Sequence, residues 1–142
     1  MSYIFKQKLN LSELAREEFS PKRVLIFEPE QYLAGIYADH LTAQNFQVQQ
    51  RQDLYELHEL LSSFAPHVLI FNAEFLPNHN KNQIWLLSVK KAYPQLHLVT
   101  TGYNLNSESV GQLMTAGVSS HINRRLSRPQ DLAIIVKSIL HY

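Results

Sequence analysis

The sequence has no cysteine, only four glycines and little charge of either sign. The absence of cysteine among 142 residues excludes disulfides, thiolate catalysis and zinc sites built on cysteine. Charged residues make up 18% of the chain, and 13 basic side chains against 12 acidic ones give a formal net charge of +1. This balance produces no field that would attract nucleic acid or an anionic membrane, so neither partner is predicted.

Long hydrophobic runs are also missing. No apolar stretch approaches the roughly 18 residues that cross a bilayer, and the N-terminus, MSYIFKQKLN, lacks the apolar core of a signal peptide. The chain length and a hydrophobic content of 45% are typical of one globular domain with a substantial core. We therefore expect a cytoplasmic protein without membrane contact.

The beginning of the chain differs from the rest. Within NLSELAREEF, Asn10 and Glu13 have the spacing of a capping box. Apolar side chains recur there at helical spacing, at Leu11, Leu14 and Phe19. Pro21 ends this predicted helix. The sequence therefore predicts an N-terminal helical extension, residues 1–22, followed by a domain formed by residues 23–142.

Within that domain, segments typical of strands and of helices alternate five times. Apolar runs predict strands at residues 24–27, 67–71 and 96–100, and the alternation of apolar and polar residues predicts a strand at 46–50. A fifth strand is predicted at residues 118–122, after Gly117. Apolar residues at helical spacing predict helices at residues 30–45, 53–64, 82–92, 107–115 and 130–140. This alternation predicts the α/β class, with a doubly wound, five-stranded parallel sheet in a three-layer α/β/α sandwich.

Polar side chains follow four of the predicted strands. They are Glu28, Asn72, Thr101 and Arg124. In open parallel sheets, ligands bind at the carboxyl ends of the strands, beside the point where the strand order reverses. We therefore expect these four side chains to lie at one edge of the sheet and to form the candidate site.

The segments VLIFEPE, PHVLIFNAE, HLVTTG and AGVSSHINR, taken in this order, resemble the receiver domains (CheY-like domains) of two-component response regulators. The resemblance covers about residues 23–140 and implies a flavodoxin-like fold. In that family the first strand ends in acidic residues that hold Mg²⁺, and the third ends in the aspartate that accepts a phosphoryl group. The fourth strand ends in Ser or Thr, and the fifth ends in a Lys-Pro pair.

The resemblance assigns a role to each matching position of this chain. Glu28 and Glu30 are the equivalents of the acidic pocket, and Asn72 takes the position of the phosphoacceptor. Thr101 and Arg124 are the equivalents of the side chains that contact the phosphoryl group. In addition, the position of the family's switch aromatic is occupied by His121.

The chain departs from the family's pattern where phosphoryl transfer would need it most. Asn72 replaces the aspartate, and an amide is not a nucleophile for phosphoryl transfer. Pro29 replaces a metal-binding carboxylate, so no cofactor is predicted and Mg²⁺ binding is expected to be weak or absent. Arg125 replaces the proline of the Lys-Pro pair. The resemblance therefore implies a degenerate pseudo-receiver, with no catalytic residues and no enzymatic activity.

Structural interpretations of these residues remain open at the level of sequence. Asn72 suits the turn from a strand into a loop. Glu28 and Glu30 can pair with Arg124 instead of a cation. His121 can sense pH or an anion, because histidine titrates near neutrality, or it can simply be packed at the surface of a strand.

Two functions follow from this reading. The first is a signal-transduction module that works without phosphorylation, through protein contact or through anion or ligand binding. The alternative is a structural dimerisation or adaptor domain without a ligand pocket. In either case the expected partner is a protein. The family resemblance suggests a second copy, paired through the fourth helix, fifth strand and fifth helix, with Leu113 or Met114 providing the apolar contact.

Overall fold

The computed structural model describes residues 20–53, 55–75 and 79–142. Five strands are present: β1 Arg23–Phe27, β2 Gln47–Arg51, β3 Val68–Asn72, β4 His97–Gly102 and β5 Ser120–Asn123. The helices are α1 Gln31–Ala43, α2 Leu57–Ser63, α3 His79–Ala92, α4 Ser107–Thr115 and α5 Pro129–Leu140, and a 3₁₀ turn spans Ala73–Phe75. The predicted N-terminal helix lies outside the described residues. Within the described ranges, no helix is long and apolar enough to cross a bilayer.

The five strands form one parallel sheet in the order β2-β1-β3-β4-β5. The order reverses between β1 and β3, which pair at the centre of the sheet. The predicted fold class, a doubly wound five-stranded α/β sandwich, is confirmed.

Alternating side chains of the strands point into two separate hydrophobic cores. One core lies under α2, α3 and α4, and β3 supplies Leu69 and Phe71 to it. The other lies under α1 and α5 and receives Val68 and Ile70 from the same strand. All four side chains are at most 1% exposed. Because both faces of the central strands are covered, their sequences are continuous apolar runs and show no alternation of polar and apolar residues.

The first residues of two helices show how reliably the sequence predicted where a helix begins. α4 begins as predicted, because the Asn106 side chain accepts a hydrogen bond from the backbone N–H of Ser109 at 2.8 Å. The predicted start of the second helix at residue 53 is wrong, since α2 begins only at Leu57. Asp53 instead accepts a hydrogen bond from the backbone N–H of Tyr55 at 3.0 Å, a local turn that competes with helix capping.

Candidate functional site

The buried polar side chains of the described residues all belong to the carboxyl ends of the central strands. They are Glu28, Asn72, Thr100 and Thr101, each at most 2% exposed. Asn72 is the last residue of β3 and is paired in register with Thr101 of β4. Glu28 directly follows β1, the other neighbour of β3. The order of the strands therefore brings these predicted site residues together.

The central contact of the site joins Asn72 to Glu28. The Nδ2 atom of Asn72 donates to both carboxylate oxygens of Glu28, at 3.1 Å to Oε1 and 3.2 Å to Oε2. The Oδ1 atom of Asn72 accepts a hydrogen bond from the backbone N–H of Glu74 at 3.0 Å. The amide thus stabilises the buried acid on one side and the start of the following loop on the other. An ionised aspartate at this position could not donate to Glu28.

Arg124 brings a positive charge to the same carboxylate. Its guanidinium nitrogens lie 3.8 Å from Oε1 of Glu28 and 3.5 Å from Oε2 of Glu30. The backbone N–H of Arg124 donates to the carbonyl of Gly102 at 2.9 Å, which fixes the loop after β5 against the end of β4. Both glutamates therefore pair with Arg124, as the structural interpretation of these residues proposed.

The pKa of the Glu28 carboxyl is subject to effects that act in opposite directions. Burial raises the pKa of the Glu28 carboxyl, whereas the hydrogen bond from Asn72 and the charge of Arg124 lower it. Burial dominates, so the pKa remains above the usual value. We attribute this to the 3.8 Å separation from Arg124, which is long for an ion pair that must offset the loss of hydration. The carboxylate therefore depends strongly on its amide partner.

This arrangement offers a poor set of ligands for Mg²⁺. The ion needs near-octahedral oxygen ligands, usually including one or two carboxylates. Here Pro29 has no side-chain oxygen, both oxygens of Glu28 accept hydrogen bonds from Asn72, and Glu30 pairs with Arg124. Nowhere in the described part of the chain do three histidine, aspartate or glutamate side chains gather at a distance suited to a metal ion.

A second contact, absent from the sequence predictions, closes the loop after β4. One carboxylate oxygen of Glu74 accepts hydrogen bonds from the backbone N–H groups of Tyr103 and Asn104, the latter at 3.1 Å. The guanidinium of Arg125 lies over the Tyr103 ring, 4.8 Å from its centroid. We call these four residues the loop clasp. A glutamate two residues after a strand carries no pattern that would reveal such a contact from sequence.

His121 lies half-buried on β5 and contacts the neighbouring strand. Its Nδ1 atom is 2.7 Å from the hydroxyl of Thr100, and its Cε1 atom lies close to Gly102, where an added Cβ would come within 3.1 Å. Burial lowers the pKa of His121, and the charge of Glu74 only partly offsets this effect. The side chain is therefore packed and hydrogen-bonded against β4.

The lowered pKa of His121 predicts acid sensitivity. The unfolded chain takes up a proton near pH 6.5, whereas the folded state resists protonation at that pH. The stability that His121 contributes should be complete above about pH 6.5 and should be lost as the pH falls through the lower folded-state pKa. Thermal melts at several pH values should show a flatter acid limb for His121→Phe. His58→Phe, at an exposed position on α2, is the control, and identical acid limbs for wild type and His121→Phe would contradict this prediction.

Comparisons with known proteins address the fold. No family model matches the chain, and no curated protein matches it. An orphan response regulator of H. pylori superposes with a TM-score of 0.75 at 15% sequence identity, over 85% of this chain and 98% of that one. A CheY-like receiver domain protein from Methanospirillum hungatei gives a TM-score of 0.74 at 19% identity, over 86% and 95% of the two chains. The chain has the receiver-domain fold.

One further receiver-fold neighbour is relevant to the candidate site. An atypical orphan response regulator, described as revealing a phosphorylation-independent regulatory mechanism, matches with a TM-score of 0.72 at 16% identity. The match covers 84% of this chain and 96% of the other. At such low sequence identity, structural similarity establishes only the fold. The chemistry of the site must be inferred from the residues described above.

The surface predicted for self-association needs one correction. Leu113 on α4 is only 6% exposed and packs in the core under α2, α3 and α4, so it cannot contact a partner. Met114, the next residue, is 45% exposed, and Leu126, between β5 and α5, is 84% exposed. We call the surface that carries Met114, His121, Leu126 and Arg128 the α4–β5–α5 face. The apolar contacts of this face would come from Met114 and Leu126.

Proposed function

We propose that this chain is a receiver-type signalling module that works without phosphorylation and acts through protein contact. The observation that carries the proposal is the hydrogen bonding of Asn72 to both oxygens of the buried Glu28. The residue that the resemblance assigns to the phosphoacceptor position is thus a hydrogen-bond donor, and the residue that it assigns to the acidic pocket is its acceptor. Similarity to an orphan regulator with a phosphorylation-independent mechanism supports the same reading.

Protein contact is favoured over anion binding by the surroundings of Arg124. An anion would have to displace Glu28 and Glu30 from the guanidinium, and Thr101, the expected second contact, is 2% exposed. Charge-assisted contacts to a phosphate are strong only when the cation is available for them. Signals are therefore more easily received or transmitted through an outer surface than through this pocket.

The proposal predicts that phosphoryl donors leave the protein unmodified. After incubation with acetyl phosphate and Mg²⁺, the intact mass should be unchanged, because the amide of Asn72 cannot form an acyl phosphate. Asn72→Asp should gain little, since Pro29 still provides no metal ligand. A phosphorylatable receiver treated in parallel verifies the donor. An adduct of one phosphate on the wild-type chain, mapped to this pocket, would overturn the proposal.

The α4–β5–α5 face should mediate concentration-dependent self-association. A two-fold axis places Met114 twice in the interface, so Met114→Glu introduces two charges into an apolar contact. We expect the dissociation constant to rise about tenfold or more, as for loss of about 1.4 kcal/mol of binding energy. Sedimentation over a concentration series measures this effect.

The matched control is Ile84→Glu, which places the same charge on α3 at an apolar side chain that is 69% exposed. It should leave self-association unchanged. A monomer at every concentration, or an equal effect of both substitutions, would exclude this face as the site of pairing.

A structural adaptor is the second candidate, favoured by the internally paired state of the pocket. Cavities of about 360, 540 and 430 Å³ occur in the described part of the chain, and none of these three is lined by Asn72, Glu28 or Arg124. The two candidates differ in whether the pocket communicates with the α4–β5–α5 face. Glu30→Gln releases one partner of Arg124 without touching that face. It should alter self-association in a signalling module and leave it unchanged in an adaptor.

A further inference from the structure

An apolar groove lies at the end of the domain opposite to the candidate site. It has a volume of about 360 Å³ and is formed where α2 and α3 end and β3 and β4 begin. Its lining includes Leu61, Ala65, Pro66, Tyr93, Pro94 and Leu96. No acidic side chain is among the residues that line it. The groove is thus a concave and mostly apolar surface at this end of the domain.

The chain enters the sheet directly beside this groove. The backbone N–H of Arg23, the first residue of β1, donates to Nδ1 of His67 at 2.9 Å, and the backbone N–H of His67 donates to the carbonyl of Arg23 at 2.8 Å. The Nε atom of Arg23 donates to the carbonyl of Ala65 at 2.9 Å. His67 and Ala65 both line the groove, so the segment before Arg23 leaves the sheet at the groove's edge.

The length of chain before Arg23 suits this geometry. Phe19 precedes Arg23 by four residues, which span at most about 14 Å when extended. As a helix, residues 10–19 would be about 15 Å long, with an apolar stripe formed by Leu11, Leu14 and Phe19. A stripe of this kind needs an apolar partner, and Arg23, where the segment joins the sheet, contacts Ala65 and His67 of the groove.

The charges are also complementary. Residues 10–19 contain three glutamates and one arginine. On the domain, Lys90 donates to the carbonyls of Leu96 and Pro94, at 2.8 and 3.2 Å, and Arg23 contacts Ala65. Two basic side chains therefore touch residues that line the groove, and an acidic helix laid along it would meet charges of opposite sign.

We propose that residues 10–19 dock on their own domain, with Leu11, Leu14 and Phe19 in the groove formed by α2, α3 and the starts of β3 and β4. The occupant is this segment of the same chain. A second copy of the chain is the principal alternative. This inference concerns the end of the domain opposite to Asn72 and does not depend on the proposed function.

A spin label on the full-length chain tests the docking. Because the chain has no cysteine, Lys91→Cys takes a single label at an exposed position beside the groove. Thr42→Cys carries the control label on α1, which packs on the opposite face of the sheet. In the ¹⁵N-labelled protein, the amide signals of residues 10–19 should lose most of their intensity with the label at position 91 and keep it with the label at 42.

Substitutions within residues 10–19 test whether the loss of signal requires the apolar side chains to be docked in the groove, or only requires the segment to lie near the label. Leu14→Gln should restore the lost intensity, whereas Arg16→Gln, on the polar side of the same predicted helix, should not. Full intensity with the label at position 91, or equal loss from both labels, would overturn the proposal. So would a loss seen when ¹⁵N-labelled chains are mixed with separately spin-labelled chains, because the segment would then occupy the groove of a second copy.

Discussion

Replacing Asn72 with aspartate is expected to destabilise the domain by about 3–4 kcal/mol at neutral pH. The substitution removes the donor to both oxygens of Glu28 and places a second carboxylate at about the same distance from a side chain that is 2% exposed. Two carboxylates so close cannot both ionise, so one must hold a proton. Keeping a proton at pH 7 on a group of ordinary pKa costs about 3.7 kcal/mol, which sets the scale of the loss.

The same substitution should change the dependence of stability on pH. A shared proton raises the pKa of the pair in the folded state, and burial already raises the pKa of Glu28. The contribution of this pair to the variant's stability should therefore be greatest below the unfolded-state value near 4.5 and should be lost as the pH rises above it. Denaturant unfolding at several pH values measures the free energy of unfolding directly.

An exchange of the two groups provides a matched control. In the double variant Glu28→Gln/Asn72→Asp, the amide and the carboxylate trade places, and a donor again faces an acceptor. The double variant should recover much of the stability that Asn72→Asp loses, giving a large coupling energy between the two positions. Additive losses, or a single Asn72→Asp variant as stable as wild type at pH 7, would show that these hydrogen bonds are not needed.

The second large effect is expected for Phe71→Ala, with a loss of about 3–5 kcal/mol in the free energy of unfolding. Phe71 is fully buried at the end of β3 and meets Trp85 of α3 edge to face, with ring centroids 5.6 Å apart. Removing the ring leaves a cavity and loses the aromatic contact. Because Trp85 is the single tryptophan of the chain, its emission should report the change in the folded variant.

Ile70→Ala is the matched control for this prediction. Ile70 precedes Phe71 on β3, is 1% exposed and points into the other core, under α1 and α5. Its truncation should cost about 2–5 kcal/mol without altering the emission of Trp85. Equal changes in emission for both variants would mean that Phe71 does not fix the environment of Trp85.

The order of strands and helices was predictable because the spacing of apolar residues within short segments of the sequence indicates which side chains are buried. The central strands, such as β3, are apolar on both faces, and Asn106 signals the start of α4 within three residues of its hydrogen-bonded partner. The helix start predicted at Asp53 was wrong for a local reason as well, since that side chain stabilises a turn. The prediction that Leu113 could provide an interface contact was wrong, because helical spacing alone does not tell which of two adjacent apolar residues faces the core.

The sequence predicted which residues form the candidate site, but it did not predict the hydrogen bonds and ion pairs between them. The carboxyl ends of parallel strands must share an edge, so Glu28, Asn72 and Arg124 were expected to be neighbours. Which atom donates to which depends on the positions of side chains 44 or more residues apart, and no local pattern records that. The loop clasp around Glu74 was missed for the same reason, because its partners follow about 30 residues later.

The position of β1 beside β3 has a consequence for how the domain folds. Val24 pairs with Val68, and Glu28 accepts its hydrogen bonds from Asn72, so the central ladder and the site both join residues 44 positions apart. Closing such a long loop costs entropy before any contact compensates for it, which slows folding in proportion to the non-local contacts. Glu28 acquires its amide partner only when this loop closes. We therefore expect the slowly exchanging amides of β1 and β3 to gain protection in the same kinetic phase that buries Glu28.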